Sequence, residues 1–174
     1  NGKFGLTDRV SDYIPVLKGT GKERITIEEL LMHQSGLPAF WPFYKKAIDE
    51  ESYTGAFYRT RPDAGHHRQI DTRLFVIDHF GYKKELVSKV FSSDYPLLVS
   101  DSMYLHRSFR DSVLQQIAGV PLKDRRYRYS DLNFILLREI VENITKIPMN
   151  IFLQKEFYKP MKMEHTLFLP LRRF

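Results

Sequence analysis

The sequence contains no cysteine and no long apolar run. Without cysteine it cannot form disulfides, thiolate metal sites or a thiol nucleophile, although a cysteine-free chain is compatible with any redox compartment. No stretch has the length and purity of a membrane-spanning helix. The N-terminal residues Asn1 to Phe4 include neither an initiator methionine nor a signal-peptide pattern, so we expect the chain to start inside a longer protein.

The composition is that of a folded protein. Of 174 residues, 43% are hydrophobic and 14% aromatic, which is enough for one domain or a piece of one to bury a sizeable core. Internal repeats and low-complexity segments are absent from the sequence.

Basic residues are in excess and partly clustered. Lys and Arg number 27 against 21 Asp and Glu, a net charge of +6, and residues 123–128 carry the sequence Lys-Asp-Arg-Arg-Tyr-Arg. This cluster is a solvated basic face, a nucleic-acid surface or a surface that attracts carboxylate-bearing substrates. Because no recognised RNA or DNA motif accompanies it, we expect no nucleic-acid partner.

An apolar helix is predicted from Leu132 to Thr145. Leu132, Leu136 and Ile140 recur at four-residue steps among further apolar residues, a pattern typical of a central buried helix. Ser130 and Asp131 are N-cap candidates, and Tyr129 directly precedes them. Two interpretations of Tyr129 remain open: a core residue with a satisfied hydroxyl, or a phenol whose ionisation the helix N-terminus favours.

Three stretches carry a resemblance to a known family. Tyr129-Ser130-Asp131 resembles a Tyr-x-Asn element, residues 25–38 resemble a "T-I-x-x-L-L-x-H-x-S-G-L-P" segment, and residues 156–166 resemble an "I-F-x-P-L-G-M-x-x-T" segment. Together and in this order they are similar to the serine β-lactamase and penicillin-binding-protein family, in its class C β-lactamase, DD-peptidase and esterase branch. The middle of the chain matches none of its segments.

The resemblance implies a mainly α structure, the helical portion of an α+β β-lactamase/transpeptidase-like fold whose central sheet lies largely outside the chain. We therefore expect residues 1–174 to form a single partial domain, with an irregular insertion around residues 41–123. In the family pattern the Ser-x-x-Lys motif lies before Asn1 and the late Lys/His-x-Gly strand lies beyond Phe174.

The same resemblance implies acyl transfer on an amide or ester. A serine attacks the carbonyl while a lysine and a tyrosine manage the proton, so Tyr129 is the predicted catalytic residue. Asp131 is the predicted substrate-binding residue, in a position where the family more often has Asn. Its extra charge could hold the lysine protonated, which puts β-lactam hydrolysis in doubt more than esterase or peptidase chemistry.

The implied substrate is a small molecule or a peptidoglycan peptide, in the cell envelope or periplasm, and no cofactor or metal is expected. This chain without its nucleophile is expected to be inactive and to self-associate through exposed apolar surface. The alternative is a non-catalytic helical module that binds a partner through its aromatic and basic surfaces.

Histidines offer two further candidate sites. His33 and Ser35 lie two residues apart at a predicted helix end and cannot by themselves supply nucleophile, base and orienting group. In the resembled family their segment is a structural brace near the site. His66 and His67 are adjacent in a predicted loop, where their side chains point in different directions, so we predict no zinc site.

Local patterns predict the remaining elements. Helices are predicted for residues 71–80, 83–91 and 107–118, and strands for 96–100 and 103–105. Pro148 is expected to open a last helix that buries Ile151, Phe152, Leu153 and Phe157. Lys146 and Lys162 stand where the family commonly has Gly, which costs roughly 1 kcal/mol at each position if the backbone stays left-handed.

Overall fold

A computed structural model describes residues 2–100 and 102–168. The chain divides into two compact units: the first combines Asn1–Trp41 with Ile117–Phe174, and the second is Pro42–Gln116. The prediction of one partial domain with an insertion stays a prediction. Within the described ranges, every helix is too short or too polar to cross a membrane.

The described residues form five α-helices and eight short strands. The helices are α1 Val10–Tyr13, α2 Ile27–Leu31, α3 Ser108–Gly119, α4 Asp131–Thr145 and α5 Met149–Leu153. The strands are β1 Ile48–Asp49, β2 Tyr58–Arg59, β3 Arg68–Asp71, β4 Leu74–Val76, β5 Gly81–Tyr82, β6 Val87–Ser88, β7 Leu97–Ser100 and β8 Met103–Leu105.

Helix α4 is the centre of the first unit, as its apolar spacing predicts. Leu132, Leu136 and Ile140 are almost completely buried, and α1, α2 and α5 all pack against this helix. The rest of this core is aliphatic and comes mainly from the N-terminal part of the chain: Val10, Ile14, Leu17, Ile25, Ile27, Leu30, Leu37, Ile117 and Val120. Burial of one such side chain stabilises a fold by about 1.5–3 kcal/mol.

Two lysines occupy left-handed backbone positions. Lys146 (φ 57°) follows α4 and donates its backbone N–H to Glu142 O at 2.9 Å, and Lys162 has φ 53°. A side chain with a Cβ is strained there, at a cost of roughly 1 kcal/mol relative to Gly. The expected left-handed conformation is thus observed at both positions.

All eight described strands lie in the second unit. They form a two-stranded sheet β1-β5 and two three-stranded sheets with orders β2-β4-β3 and β6-β8-β7, all antiparallel. In the β3–β4 hairpin Arg68 is opposite Val76 and Gln69 is opposite Phe75, with an irregularity between Gln69 and Asp71. Such small sheets need extra packing to be stable, and here Phe57 contacts Phe80 and Tyr58.

The prediction of a mainly α structure is wrong. The chain is mixed α/β, with 34% of the described residues helical and 16% in strands of three small sheets. The strands are two to four residues long, so they show too few alternations for a periodicity test that needs four to eight. The hairpins depend instead on turns and on contacts distant in sequence.

Two predicted helices are also wrong. Residues 71–80 contain the end of β3, a turn and β4, because Asp71 accepts the N–H of Thr72 at 2.6 Å in the turn rather than capping a helix. Residues 83–91 contain a turn and β6. The predicted strands at 96–100 and 103–105 and the helix at 107–118 are confirmed as β7, β8 and α3.

The last helix forms but does not bury its apolar face. Helix α5 follows Pro148 and continues into a wider helical turn at Gln154–Tyr158. Ile151 is 53% exposed and Phe157 45%, and neither segment contains a buried residue. The prediction that this helix is a core element is therefore wrong.

Candidate active site

Helix α2 begins with the predicted capping box. The Thr26 hydroxyl accepts the N–H of Glu29 at 3.2 Å, and the Glu29 carboxylate accepts the N–H of Thr26 at 2.9 Å. The helix then ends through a left-handed residue, His33 (φ 54°). This conformation at the helix end turns the following segment, residues 34–39, away from the axis of α2.

Gly36 marks a close approach between two segments that are distant in sequence. It has φ 77°, and a Cβ at this position would lie 2.5 Å from the backbone oxygen of Lys123. The N–H of Lys123 donates to Gly36 O at 2.8 Å. Only a glycine permits this contact without displacing the backbone, and the contact brings the basic cluster beside the end of α2.

Backbone hydrogen bonds continue this pairing up to α4. Arg128 donates its N–H to His33 O at 2.8 Å, and Asp131 donates its N–H to Ala39 O at 2.9 Å. The hydroxyl of Ser130, which is completely buried, donates to Pro38 O at 2.7 Å. Ser130 holds the N-cap position of α4, yet its side chain does not cap the helix.

The imidazole of His33 is a hydrogen-bond acceptor at Nδ1. The Ser130 N–H donates to this nitrogen at 3.2 Å, and the Asn133 amide nitrogen lies 3.1 Å from it. A backbone N–H can only donate, so Nδ1 carries no proton and the neutral ring holds its hydrogen on Nε2. His33 therefore acts as a fixed support for the segment that carries Tyr129.

Asn133 completes a buried polar network. Its amide donates to Leu30 O at 2.9 Å, and its carbonyl accepts the Ser35 hydroxyl at 2.7 Å. Ser35, Ser130 and Asn133 are each at most 1% exposed, so every lost partner would leave a buried polar atom unpaired. The network fixes the end of α2 to the first turn of α4, in agreement with the structural brace that the family resemblance implies for this segment.

Tyr129 presents its ring on the surface of this brace. It is 52% exposed, and its ring centroid lies 4.7 Å from that of His33 and 6.0 Å from that of Phe134. Partial burial raises the pKa of the Tyr129 phenol, and the charge and hydrogen bonding of the Asp131 carboxylate raise it further. The phenol is thus protonated at neutral pH and accessible to a ligand.

Asp131 is exposed in the first turn of α4. A carboxylate at this position interacts favourably with the partial positive charge of the helix N-terminus. The structure therefore brings the two predicted site residues, Tyr129 and Asp131, together on one exposed edge.

The basic cluster ahead of Tyr129 is partly neutralised. Arg125 pairs with the Glu29 carboxylate at 2.8 Å, and both side chains are partly exposed. Exposed pairs of this kind contribute about 0–1 kcal/mol, so this one mainly orients the 123–128 segment against the start of α2.

The histidine pair of the second unit does not form a ligand set. His66 bonds to Asp63 at 2.8 Å and to Ala56 O at 2.8 Å, whereas His67 bonds to Asp78 at 2.6 Å. Across residues 2–100 and 102–168, we find no group of three or more His, Asp or Glu side chains that could hold a metal.

Sequence reasoning missed the parts played by His33 and Asn133. The spacing of His33 and Ser35 suits no triad, but a polar residue at a helix end can also bond to a backbone group that is distant in sequence. Asn133 offers a signal, because it is an amide flanked by apolar residues in the first turn of the helix. A buried amide at such a position needs partners from another segment.

Comparisons with known proteins assign the chain to a family. The family model described as Beta-lactamase matches residues 1–173. The N-acetylmuramyl-L-alanine amidase of Bacillus subtilis (strain 168) is 25% identical over 181 residues, which cover 99% of this chain and 29% of that protein. A putative D-alanyl-D-alanine carboxypeptidase of Salmonella heidelberg (strain SL476) is 24% identical, covering 99% of this chain and 30% of that protein.

No solved structure matches the chain significantly. The chain spans about 30% of the length of the curated relatives it matches. The match of the family model nevertheless extends over nearly all of it, including both segments that form the brace and the edge with Tyr129 and Asp131. The chain belongs to the Beta-lactamase family of serine hydrolase-like proteins.

Proposed function

We propose that this chain is part of a serine hydrolase that transfers an acyl group from an amide or ester of a peptidoglycan peptide in the cell envelope. The observation that carries the proposal is the exposed Tyr129–Asp131 edge, held by the buried network of Ser35, Ser130 and Asn133. A rigid support of this kind is what a side chain that transfers a proton to a bound substrate requires.

Tyr129 is the proposed proton-transfer residue. Because its pKa is raised, the phenol carries its proton at neutral pH and can donate it to a leaving-group nitrogen or oxygen. Accepting a proton from the serine instead would need a cation close to the phenolate, and in the family pattern the lysine of Ser-x-x-Lys is that cation. Tyr129 can then pass the proton from nucleophile to leaving group.

Asp131 is the proposed substrate-binding residue. An ionised carboxylate only accepts hydrogen bonds, whereas the Asn that is common at this position both donates and accepts. Asp131 is therefore suited to a backbone N–H of a bound peptide and not to a carbonyl oxygen. This preference supports a peptide substrate, since a peptide offers N–H donors on both sides of the bond that is cleaved.

The names of the relatives support the substrate class. One name specifies the N-acetylmuramyl–L-alanine linkage and the other a D-alanyl-D-alanine terminus, and both groups belong to peptidoglycan peptides. These names also support a location in the cell envelope.

In the 174 residues no serine is followed three positions later by lysine. The active species is therefore proposed to be a whole protein that includes a Ser-x-x-Lys motif.

A muropeptide that ends in D-alanyl-D-alanine tests the proposal. The whole protein is incubated with this substrate, and the products are identified by mass spectrometry. Release of the terminal D-alanine would show carboxypeptidase activity, and release of the intact peptide from N-acetylmuramic acid would show amidase activity. Absence of both products, together with no labelling by a fluorescent penicillin or hydrolysis of a p-nitrophenyl ester, would refute the proposed function.

The 174-residue chain by itself is the matched control. It presents the same Tyr129 edge without a Ser-x-x-Lys motif, so we expect neither turnover nor covalent labelling by the penicillin. Covalent labelling of this chain would show that a nucleophile has been overlooked within it.

A further inference from the structure

The second unit contains an apolar cleft that the proposed function does not use. Its volume is about 420 Å³, within the range of about 300–1,000 Å³ that is typical of small-molecule sites. Its lining comes from all three sheets, from the turn before β1 and from α3. One unit therefore builds the whole cleft.

Burial distinguishes the depth of the cleft from its mouth. Ala47, Ile48 and Val76 are buried, while Ile70 and Val99 also line it and are about half exposed, at 50% and 48%. Half-exposed aliphatic side chains around a concave apolar surface leave hydrophobic area open to water. Covering that area with an apolar group is favourable by about 25 cal/mol per Å².

The lining also contains a cation. Among the described residues that line the cleft, Arg68 alone carries a charge. It lies on β3, two positions before Ile70. Its side chain is exposed, and no ion pair within the described part of the chain involves it. Its backbone N–H is the group that bonds to Asp78. A free guanidinium beside an apolar cleft favours a ligand with a single anionic group.

Two phenols add a neutral donor. The Tyr58 hydroxyl donates to the Tyr44 hydroxyl at 2.7 Å, and both rings line the cleft. Two hydroxyls that share one hydrogen bond keep one O–H hydrogen free for another acceptor. The free hydrogen is that of the Tyr44 hydroxyl, because Tyr58 is the donor in the bond between them. Burial and this bond raise the pKa of Tyr58, so Tyr58 keeps its proton and its bond to Tyr44 across the physiological range.

We propose that the second unit binds a free alkyl monocarboxylate of the medium-chain fatty-acid class, with its chain in the apolar cleft and its carboxylate on Arg68. The lining places no carboxylate of its own against the anion. An alkyl chain matches the cleft because, apart from Arg68 and the tyrosine hydroxyls, the lining side chains carry no hydrogen-bonding group.

Calorimetric titration with decanoate, below its micelle concentration, tests this assignment on the protein. We expect saturable one-to-one binding, which weakens about four-fold for each methylene removed from the ligand. Methyl decanoate keeps the chain and loses the anion, so it should bind at least about ten-fold more weakly. Equal binding of acid and ester would overturn the role of Arg68.

Two variants test the location of the binding site, and a third serves as the control. Arg68→Gln should weaken decanoate binding about ten-fold, and Ile70→Glu, which introduces an anion at the mouth of the cleft, should abolish it. Arg73→Gln removes an exposed arginine of the same hairpin that does not line the cleft, and it should leave binding unchanged. Circular dichroism melting confirms that each variant is folded. Unchanged affinity in Arg68→Gln would overturn the proposal, as would equal losses in Arg68→Gln and Arg73→Gln.

Vesicles provide the last arm of the test. Anionic phospholipid vesicles and a peptide with a free apolar C-terminus also combine apolar groups with an anion. They therefore serve as competing ligands for the cleft. Binding of free decanoate, with no binding of vesicles or peptide, is the expected outcome. Tighter binding of either competitor than of decanoate would overturn the assignment to a free alkyl carboxylate.

Discussion

The phenol of Tyr129 and the carboxylate of Asp131 lie on one exposed edge, and the carboxylate affects the chemistry of the phenol. The negative charge of Asp131 opposes ionisation of the phenol, so this pair favours a protonated Tyr129. The Tyr129 ring packs at a tilt against the His33 ring, with 4.7 Å between the centroids, and this contact also restrains its orientation. Both effects suit a residue that delivers a proton to a defined position.

We predict that Tyr129→Phe in the whole protein lowers the single-turnover acylation rate by about 10² to 10⁴, the usual range for a general acid–base group. The melting temperature should change little, because the lost hydroxyl belongs to a half-exposed side chain whose ring contacts remain. Stopped-flow acylation and thermal denaturation measure the two quantities separately.

Tyr127→Phe is the matched control for this experiment. Tyr127 also contacts the His33 ring, at 6.2 Å edge to face, but it is 70% exposed and outside the Tyr129–Asp131 edge. The acylation rate should therefore be unaffected in Tyr127→Phe.

A second variant, Asp131→Asn, should lower the pKa of Tyr129, because it removes the neighbouring negative charge. Spectroscopic titration of the phenol measures this pKa. An unchanged acylation rate in Tyr129→Phe would remove this residue from the mechanism and favour the binding-module alternative.

The sequence was informative at those residues because a motif carries them. Tyr129, Asp131 and the Thr26 capping box are defined by neighbours within a few positions, and such local patterns can be recognised in one sequence. His33 and Asn133 act across about 100 residues of sequence, at a contact that no local pattern encodes. Their functions could be identified only after folding had brought the two segments together.

At the level of elements, the same distinction separates the two long helices from the short hairpins. Helices α3 and α4 have 12 and 15 residues, long enough for an apolar period to be visible. The hairpin of β3 and β4 has strands of four and three residues joined by Thr72-Arg73, which has none of the Asn-Gly or Asp-Gly signals of a two-residue turn. Aromatic contacts and cross-strand pairing therefore determine its structure, and these are not evident from short windows.

A buried histidine links the β2–β3 connection to pH. His66 is 5% exposed, and both ring nitrogens lie 2.8 Å from acceptors, the Asp63 carboxylate and Ala56 O. Both nitrogens can donate only when the ring is protonated. The hydrogen bond to Asp63, followed by that to Ala56, raises the pKa of His66, while burial of the ring and, to a smaller extent, the charge of Arg59 oppose this rise.

We predict that the stability contributed by His66 is lost as the pH rises above 6.5. A folded pKa raised above the unfolded value of 6.5 means that the contribution is complete below pH 6.5 and disappears as pH rises through the folded pKa. The melting temperature should fall across that interval. Differential scanning calorimetry at several pH values measures the slope.

His66→Gln and His79→Gln distinguish this contribution from that of other groups. His66→Gln should remove most of the fall in melting temperature above pH 6.5. His79→Gln replaces an exposed histidine of the same unit and should preserve the fall. A melting temperature of the unaltered protein that rises through this interval would contradict the assignment of His66 as a cation.

At the scale of the whole molecule, the surface is uneven. The first unit has an aliphatic core around α4, yet residues 151–163 expose apolar side chains on α5 and the turns after it. A net charge of +6 keeps like molecules apart at low ionic strength. Exposed apolar side chains that form one patch favour a contact with another molecule, and from these residues we infer such a surface.

We predict that the chain self-associates through this surface, which we define by Ile151, Phe157, Met161 and Met163. Sedimentation velocity over a range of concentrations should show a reversible shift to larger species. Added salt should strengthen the association, because it screens the repulsion between positively charged chains while apolar contact persists. The double variant Ile151→Lys/Met161→Lys should weaken association at least about ten-fold, since each buried apolar side chain contributes about 1.5–3 kcal/mol.

The matched control is Val90→Lys/Phe91→Lys, which adds the same charge at two apolar residues of the second unit that are 71% and 63% exposed. If charge alone governed association, both double variants would weaken it equally. If residues 151–163 form the contact, only the first variant dissociates the larger species and the control remains associated. A chain that stays monomeric at every concentration and salt level would contradict the prediction, because these apolar side chains would then be stable in water without a partner.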